Sequence, residues 1–502
     1  MTAPRNLGCI IDAGGERDQV AFIGIDAKLQ EQQCSYGELD DRANAVARGL
    51  AARGYAQGDR VAILAANSID VIAVLLGIMR AGLVAVPINY RFPNEMIAIV
   101  AHDSGARLLF CDQARRASVP PDIEHITLDG SGPNDLAGLA DPGAFDAFAP
   151  VADEPAMILY TSGSTGRPKG VVLSHAAHLW VVRTRQETES LAGERVLIAA
   201  PLYHMNALAL SFLALADRAT TVLLWQFAAV PYIQAIDRHR CTWLTAVPPM
   251  IAMMLRERDT LASADLTSVR VIRMGSAPVS KSLLDQIHQL LPNARVMNAY
   301  GTTESGPVTF APHPDGRPNP LFTLGTAHPK VKLRLRDVAG NESNEGVLEI
   351  DSPALLTRYH NRPELKPPFT PDGYYVTGDV FRRDDDGFYT FIGRRDDMFV
   401  SGGENIYPGD VEAILERHPA VAQASVVPVE DDIKGQKPVA FVVLRSGKTA
   451  TEAELKAFAL EHMAAFQHPR RIWFVDALPL ASTQKIDRKA LAQDAAARMV
   501  QG

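Results

Sequence analysis

The segment Tyr160-Thr161-Ser162-Gly163-Ser164-Thr165-Gly166-Arg167-Pro168-Lys169-Gly170 has the composition of a phosphate cradle. Glycines 163, 166 and 170 let backbone N–H groups crowd around an anion, and the hydroxyls of Thr161, Ser162, Ser164 and Thr165 add donors. Lys169 supplies a point charge for phosphoryl oxygens. The pattern is not GxxxxGK[ST] opening a helix, because Gly170 and the apolar run Val171–Leu173 follow the lysine. A polar turn between two strands is the plain alternative.

Other residues could work on the same chemistry. Glu304 follows Tyr300-Gly301-Thr302-Thr303, an aromatic ring, a glycine and two hydroxyls, which suits a stacked base, a hydrogen-bonded phosphate and a carboxylate holding Mg²⁺. A surface turn ending in glutamate looks similar. Asp379, read as lying in a turn after Tyr374-Tyr375-Val376, can accept from two ribose hydroxyls, and Arg394 can donate to the same sugar; each is otherwise a solvated loop charge. Lys485 follows the polar turn Ala481-Ser482-Thr483-Gln484, where a lone lysine is ordinarily solvated. His204, after Pro201-Leu202-Tyr203, fits either a site or a satisfied core position.

Helices and strands must position these groups. Ser35-Tyr36-Gly37-Glu38 is a capping box, and Leu39, Ala43, Val46, Ala47 and Leu50 continue at helical spacing. Val61–Leu64, Val84–Val86 and Leu108–Cys111 read as buried strands, with helical patterns at Ile69–Arg80 and Asn94–His102 between them. This alternation predicts βαβ units around a largely parallel sheet. The Pro/Gly/Asp-rich stretch Ser118–Pro155 predicts a surface connection with little structure, and alternation resumes at Met157. After a charged, Gly-rich stretch a new unit begins, with a helix entered through Pro408, strands Ser425–Val429 and Val439–Leu444, and a helix capped by Thr451 and Glu454. The expected fold is α/β, with a large N-terminal domain of α/β layers (1–395) and a small mobile α+β C-terminal domain (396–502).

Composition excludes several classes. The chain has 502 residues, 47% hydrophobic and 22% charged, which is ordinary for a globular protein. Fifty basic residues against 58 acidic ones leave a net charge of −8, the wrong sign for a nucleic-acid partner. Cys9, Cys34, Cys111 and Cys241 show no CxxC or zinc spacing, so free thiols in a reducing compartment are expected. The apolar patch Leu7–Ile11 is followed at once by Asp12 and Glu16, unlike a signal peptide. The apolar run Ala207–Ala216 falls short of the ~20 residues that span a bilayer. A cytoplasmic protein without a membrane span is expected; monomer and homodimer both stay open.

Further motifs accompany the loop: Pro201-Leu202-Tyr203-His204, Gly275-Ser276-Ala277-Pro278, Asn298-Ala299-Tyr300-Gly301-Thr302-Thr303-Glu304, Tyr375-Val376-Thr377-Gly378-Asp379, Gly393-Arg394-Arg395-Asp396-Asp397, Ser401-Gly402-Gly403-Glu404-Asn405 and Lys485-Ile486-Asp487-Arg488. In this set and order the chain resembles the adenylate-forming superfamily of acyl- and aryl-CoA synthetases, luciferases and peptide-synthetase adenylation domains. The resemblance implies an active site between two domains that uses ATP, Mg²⁺ and coenzyme A. It implies nucleotide contacts from Thr161 to Gly166, Lys169, Gly275, Ser276, Ala277, Asn298, Ala299, Tyr300 (stacked on adenine), Gly301 and Thr302. It also implies Thr303 at the α-phosphate, Glu304 and Thr161 at the metal, Asp379 and Arg394 at the ribose, and Lys485 as the catalytic lysine. Asp396 is implied as the hinge, His204 as a gate between acid pocket and thiol entrance, and Gly402, Gly403, Arg91 and Phe466 as coenzyme A contacts. Gln484 stands where many members have glycine.

The implied activity is ATP-dependent acid–CoA ligation through acyl-AMP, with a small-molecule carboxylic acid as substrate. The implied acid pocket, formed by His204, Met205, Trp225, Met274, Gly275, Ser276, Gly301 and Val308, carries little charge, so small dicarboxylates are disfavoured. An aromatic acid is favoured and a medium-chain fatty acid is the alternative. An adenylation enzyme serving a carrier protein is a further reading; for amino acids it is disfavoured by Met205, where relatives place an aspartate to pair with the α-ammonium. A luciferase-type oxidase is disfavoured by the ending Val500-Gln501-Gly502. A non-catalytic nucleotide or acyl binder is disfavoured by the presence of Lys169, Glu304 and Lys485.

Overall fold

The structure, a computed structural model, describes every residue except 1–4, 12, 13, 131, 162–167, 276–278, 280, 363–367, 402, 403, 432, 433, 482–484 and 502. Side chains 282, 405, 500 and 501 are likewise outside the description.

The N-terminal apolar runs form two sheets, each seven-stranded among the described residues. One runs in the order Arg295–Ala299, Val271–Gly275, Trp243–Ala246, Arg195–Ile198, Thr220–Leu224, Val20–Ile25, Glu31–Ser35, parallel except at its last pair. The other runs Arg358–Tyr359, Lys169–Ser174, Pro155–Thr161, Val84–Pro87, Arg60–Leu64, Ala106–Cys111, His125–Thr127. Its first three strands are antiparallel to one another and the rest are parallel. Helix Ile69–Arg80 is apolar on all sides, and every residue except Asp70 is buried, as an all-round apolar helix requires. Helix Tyr36–Ala52 packs beside it, opened by Ser35 and Glu38 in a reciprocal capping box. The apolar run after His204 becomes the buried helix Met205–Ala216.

A third, antiparallel sheet contains Lys332–Arg336, Glu345–Asp351, Tyr375–Arg383 and Tyr389–Arg394. The chain leaves it through the 3-10 turn Arg395–Asp397 and enters the small C-terminal domain. Strands Glu404–Ile406, Phe399–Ser401, Gly435–Leu444, Val421–Asp431 and Ile472–Phe474 form a sheet there, with helices Pro408–Leu415, Glu452–His462 and Arg488–Gln501. Thr451 and Glu454 make the second capping box, and Pro408 opens its helix at the first turn.

One expectation is refined and one is corrected. The stretch Ser118–Pro155, expected to have little structure, carries the short strand His125–Thr127, which extends the second sheet, and the helical turn Leu136–Leu139. Ile126, Leu128 and Leu139 anchor it in the core, and these few apolar residues are outnumbered in the sequence by Pro, Gly and Asp. Asp379 lies inside a strand rather than in a turn. Gly378 with φ +75° and a register shift at Val380/Phe381 bend that strand, and such a bend reads as a turn in the sequence.

Candidate active site

Lys169 opens the strand Lys169–Ser174 and pairs in register with Thr161 at the end of Pro155–Thr161. The loop between them, with Ser162, Gly163, Ser164, Thr165 and Gly166, lies outside the described residues. The strand Arg358–Tyr359 adds beside Val171 and Val172, and the Leu356 backbone N–H donates to the Glu304 carbonyl at 2.8 Å. These backbone pairings bring three side chains together. Lys169 Nζ lies 3.1 Å from Glu304 Oε1 and donates to the Tyr359 hydroxyl at 2.9 Å, and that hydroxyl donates to Glu304 Oε1 at 3.2 Å. Burial alone lowers the Lys169 ammonium pKa, but Glu304 and Tyr359 together outweigh it and leave the pKa raised. Lys169 therefore stays cationic. The buried Thr161 hydroxyl has no protein partner among the described residues. Gly301 is required before Thr302, because a Cβ there would stand 2.5 Å from the Gly306 carbonyl oxygen. Thr302 and Ser305 close that turn through their hydroxyls at 2.9 Å, leaving Thr303 half-buried beside Glu304.

A second cluster forms where neighbouring strands pair Asp379 with Arg394. Asp379 is 4% exposed; its Oδ1 accepts from Arg394 Nη1 at 2.8 Å and its Oδ2 from the Tyr300 hydroxyl at 2.5 Å. Burial raises the Asp379 pKa against the lowering influence of Arg394, Tyr300 and Lys485. Edge contacts with Phe381 and packing on Phe310 fix the Tyr300 ring.

Lys485 comes from the other domain. Ala481 N–H donates to its carbonyl at 2.8 Å, and Asp487 N–H donates to Pro479. Arg488 anchors the turn by donating to Glu412 Oε2 at 2.7 Å and to the Val426 carbonyl at 3.0 Å. Although Lys485 keeps exposed surface, crowding by protein lowers its pKa, followed by the repulsion of Arg394. Asp379, Asp397 and Glu304 pull the other way. The lysine thus stands in the field of both clusters. Gln484 lies outside the described residues.

His204 precedes helix Met205–Ala216, and its Nε2 is buried without a partner among the described residues. Burial, then Lys485 and Arg91, push its pKa down to about 4, so the ring is neutral at pH 7. Tyr203 packs edge-on against it at 4.5 Å and against Tyr90 at 5.3 Å, and Arg91 lies 6.0 Å from the Tyr90 ring centre. Met205 and Trp225 are half-buried, while Met274, Gly275 and Val308 are enclosed by protein. Asn298 and Ala299 end the strand beside Val271–Gly275. Ser276, Ala277, Gly402 and Gly403 lie outside the described residues. Phe466 packs on the core of the small domain, and Asp396 is exposed in the connecting turn, 3.9 Å from Arg394.

Sequence reasoning missed Tyr359, which touches both Lys169 and Glu304, because no local motif marks a residue 190 positions from one partner and 55 from the other.

A cation and a carboxylate beside a glycine-rich loop, a carboxylate–arginine pair on a second sheet and a lysine reaching in from a small domain define an adenylate-forming enzyme. The chain belongs to that family: residues 12–360 match the AMP-binding enzyme family and residues 410–485 the AMP-binding enzyme C-terminal domain. It is an AMP-forming acid–thiol ligase by class. It is 32% identical to 4-coumarate–CoA ligase 5 of Oryza sativa subsp. japonica over 91% of this chain and 88% of the relative. It is likewise 32% identical to feruloyl-CoA synthase of an Amycolatopsis species, over 90% and 92%. The crystal structure of ATP-bound MatB from Rhodopseudomonas palustris superposes with a TM-score of 0.87 at 28% identity, covering 98% of each chain.

Proposed function

We propose that the protein joins an aromatic carboxylic acid to coenzyme A through an acyl-AMP intermediate. The observation that carries this reading is Lys485, which belongs to the small domain and sits in the combined field of Asp379, Asp397 and Glu304. ATP binds with its ribose hydroxyls on Asp379, its adenine against the fixed Tyr300 ring, its α-phosphate at Thr303 and its outer phosphates on the loop ending at Lys169. Glu304 and Thr161, together with phosphate oxygens of the nucleotide, would hold Mg²⁺, which would spread phosphate charge there. The Lys169–Glu304 ion pair and the unpartnered Thr161 hydroxyl fit that arrangement.

In the first half-reaction the acid's carboxylate attacks the α-phosphorus, the bond to the bridging oxygen breaks, and pyrophosphate leaves. Lys485 offsets negative charge on the crowded oxygens, a contribution that is large because the site is already organised. Residues 396–502 then rotate on residues 1–395 about Asp396, in the short turn that joins the two. This motion withdraws Lys485 and brings Gly402 and Gly403 to the pantetheine arm, while Arg91 and Phe466 meet the nucleotide end of coenzyme A. The thiol attacks the acyl carbon and AMP departs. Neutral His204 stands at the thiol entrance as a shaped, uncharged gate.

The relatives' names support an aromatic acid, and the half-buried Met205 and Trp225 supply apolar surface for a ring. Among the described residues no helix is long and apolar enough to cross a membrane, and four free cysteines support a reducing, cytoplasmic location. Pyrophosphate release over a panel of aromatic and aliphatic acids, with and without coenzyme A, tests the reading. Release with aromatic acids and a thioester only with coenzyme A is expected; thioester formation confined to fatty acids overturns the aromatic assignment.

A further inference from the structure

The strand Val271–Gly275 brings Gly275 to the site and, two residues earlier, carries an arginine that none of the chemistry above uses. Ile272 and Met274 point into the core packed on one face of the sheet. Alternation therefore turns Arg273 to the other face together with Val271. Its register partner is Thr245, on the adjacent parallel strand and the same face. Arg273 is 6% exposed and Thr245 is fully buried. Among the described residues Arg273 Nε and Thr245 Oγ1 have no hydrogen-bond partner, and Arg273 Nη1 reaches Asn206 Oδ1 only at 3.4 Å. Asn206 follows Met205 in the helix that His204 opens, and alternation along the strand puts Arg273 on the face of Gly275 and opposite that of Met274, which links the three polar side chains to two members of the implied acid pocket.

The charge around Arg273 is unbalanced. Glu189 is the carboxylate that faces it, and that group is already engaged by Arg185 at 2.8 Å, with Arg295 adding further positive charge. Arg273 forms no ion pair among the described residues. A buried guanidinium with an unpaired donor is unfavourable unless an anion or acceptor completes it, and buried polar groups are almost always completed.

We propose that Arg273, with Thr245 and Asn206, is a specificity-determining site that receives a second anionic oxygen group of the acid, a carboxylate or sulfonate remote from the carboxyl that is adenylated. The inference rests on the ligase reading and narrows it from aromatic acids to aromatic acids bearing that second anion. It replaces the sequence-based expectation of a pocket with little charge.

The test measures kcat/KM for pyrophosphate release with benzoate and cinnamate, with benzoates carrying a carboxylate or sulfonate at each ring position, and with butyrate against succinate and glutarate. In the wild-type protein at least one dianionic acid is expected to exceed its singly charged analogue by about tenfold or more. Arg273→Met should lower that ratio about ten- to a hundredfold, Arg273→Lys should restore part of it, and the isosteric Thr245→Val should lower it severalfold. A wild-type preference for the singly charged acids, or a ratio unchanged in Thr245→Val and Arg273→Lys, overturns the assignment even if Arg273→Met fails to fold. Preference for succinate over butyrate without activity on any aromatic acid keeps Arg273 and overturns the aromatic reading. Pyrophosphate release from no acid overturns the ligase reading itself.

Discussion

Replacing Asp379 with asparagine separates binding from stability at one buried atom. The carboxylate accepts from Tyr300 at 2.5 Å and from Arg394 at 2.8 Å. An amide of the same size can satisfy only one of these partners with its oxygen, and it turns an N–H₂ group toward the other. The proposed ribose contact then loses a charged acceptor. Hydrogen bonds to charged groups contribute about 1.5–3 kcal/mol, so Asp379→Asn should weaken ATP binding roughly 10- to 150-fold. Stability should move differently. Burial raises the folded-state pKa of Asp379 despite Arg394, Tyr300 and Lys485, so the folded chain holds this proton more tightly than the unfolded chain does. Its contribution to stability is therefore present at low pH and lost as pH rises from the ordinary carboxylate value through the raised folded value. The asparagine variant lacks that pH-dependent loss, so its melting point relative to wild type should rise between pH 5 and pH 8 even though it loses the buried partner of Arg394. Calorimetric ATP titration and thermal melts at pH 5 and pH 8 read the two effects. Unchanged ATP affinity together with a melting-point difference from wild type that widens against the variant from pH 5 to pH 8 would make Asp379 a structural carboxylate and refute the reasoning.

Three further outcomes are expected. Tyr359→Phe keeps the Lys169–Glu304 ion pair but removes two hydrogen bonds to charged groups, so kcat/KM for ATP in pyrophosphate release should fall about tenfold or more; an unchanged value would reduce Tyr359 to packing. Because Lys485 is proposed to act as a cation and its pKa is lowered, acyl-AMP formation should decline on the alkaline side at a pH below an ordinary lysine's, and Lys485→Arg should move that decline upward. Asp396→Pro should preserve acyl-AMP formation and block thioester formation, since proline fixes φ near −65° at the proposed hinge; normal overall turnover would remove Asp396 from that role.

Much of the fold was legible where local chemistry decides it. The capping boxes at Ser35–Glu38 and Thr451–Glu454 form as read, and the helix over Ile69–Arg80 has the bounds its apolar pattern predicts. The segment Ser118–Pro155 has the little structure its composition predicts, and its one short strand and one helical turn went unread because the few apolar residues that anchor them are outnumbered by polar ones. Of the candidate site, the sequence picked out charged residues that the fold pairs in space, Lys169 with Glu304 and Asp379 with Arg394. Tyr359 was invisible because its strand joins the sheet only through long-range pairing, and Arg273 was invisible because its unbalanced charge appears only when Thr245, Asn206 and Glu189 come beside it.

The central claim is that one lysine from the small domain serves the first half-reaction alone. Acyl-AMP formation from ATP and acid, and thioester formation from pre-made acyl-AMP and coenzyme A, can be measured separately for Lys485→Ala. Losing a fixed charge at a developing oxyanion raises the barrier by about 2.7–4 kcal/mol, so acyl-AMP formation should fall by about 10²–10³-fold or more, with thioester formation largely retained. An equal fall in both half-reactions would contradict the account, because Lys485 would then support the fold or both steps rather than the attack on ATP.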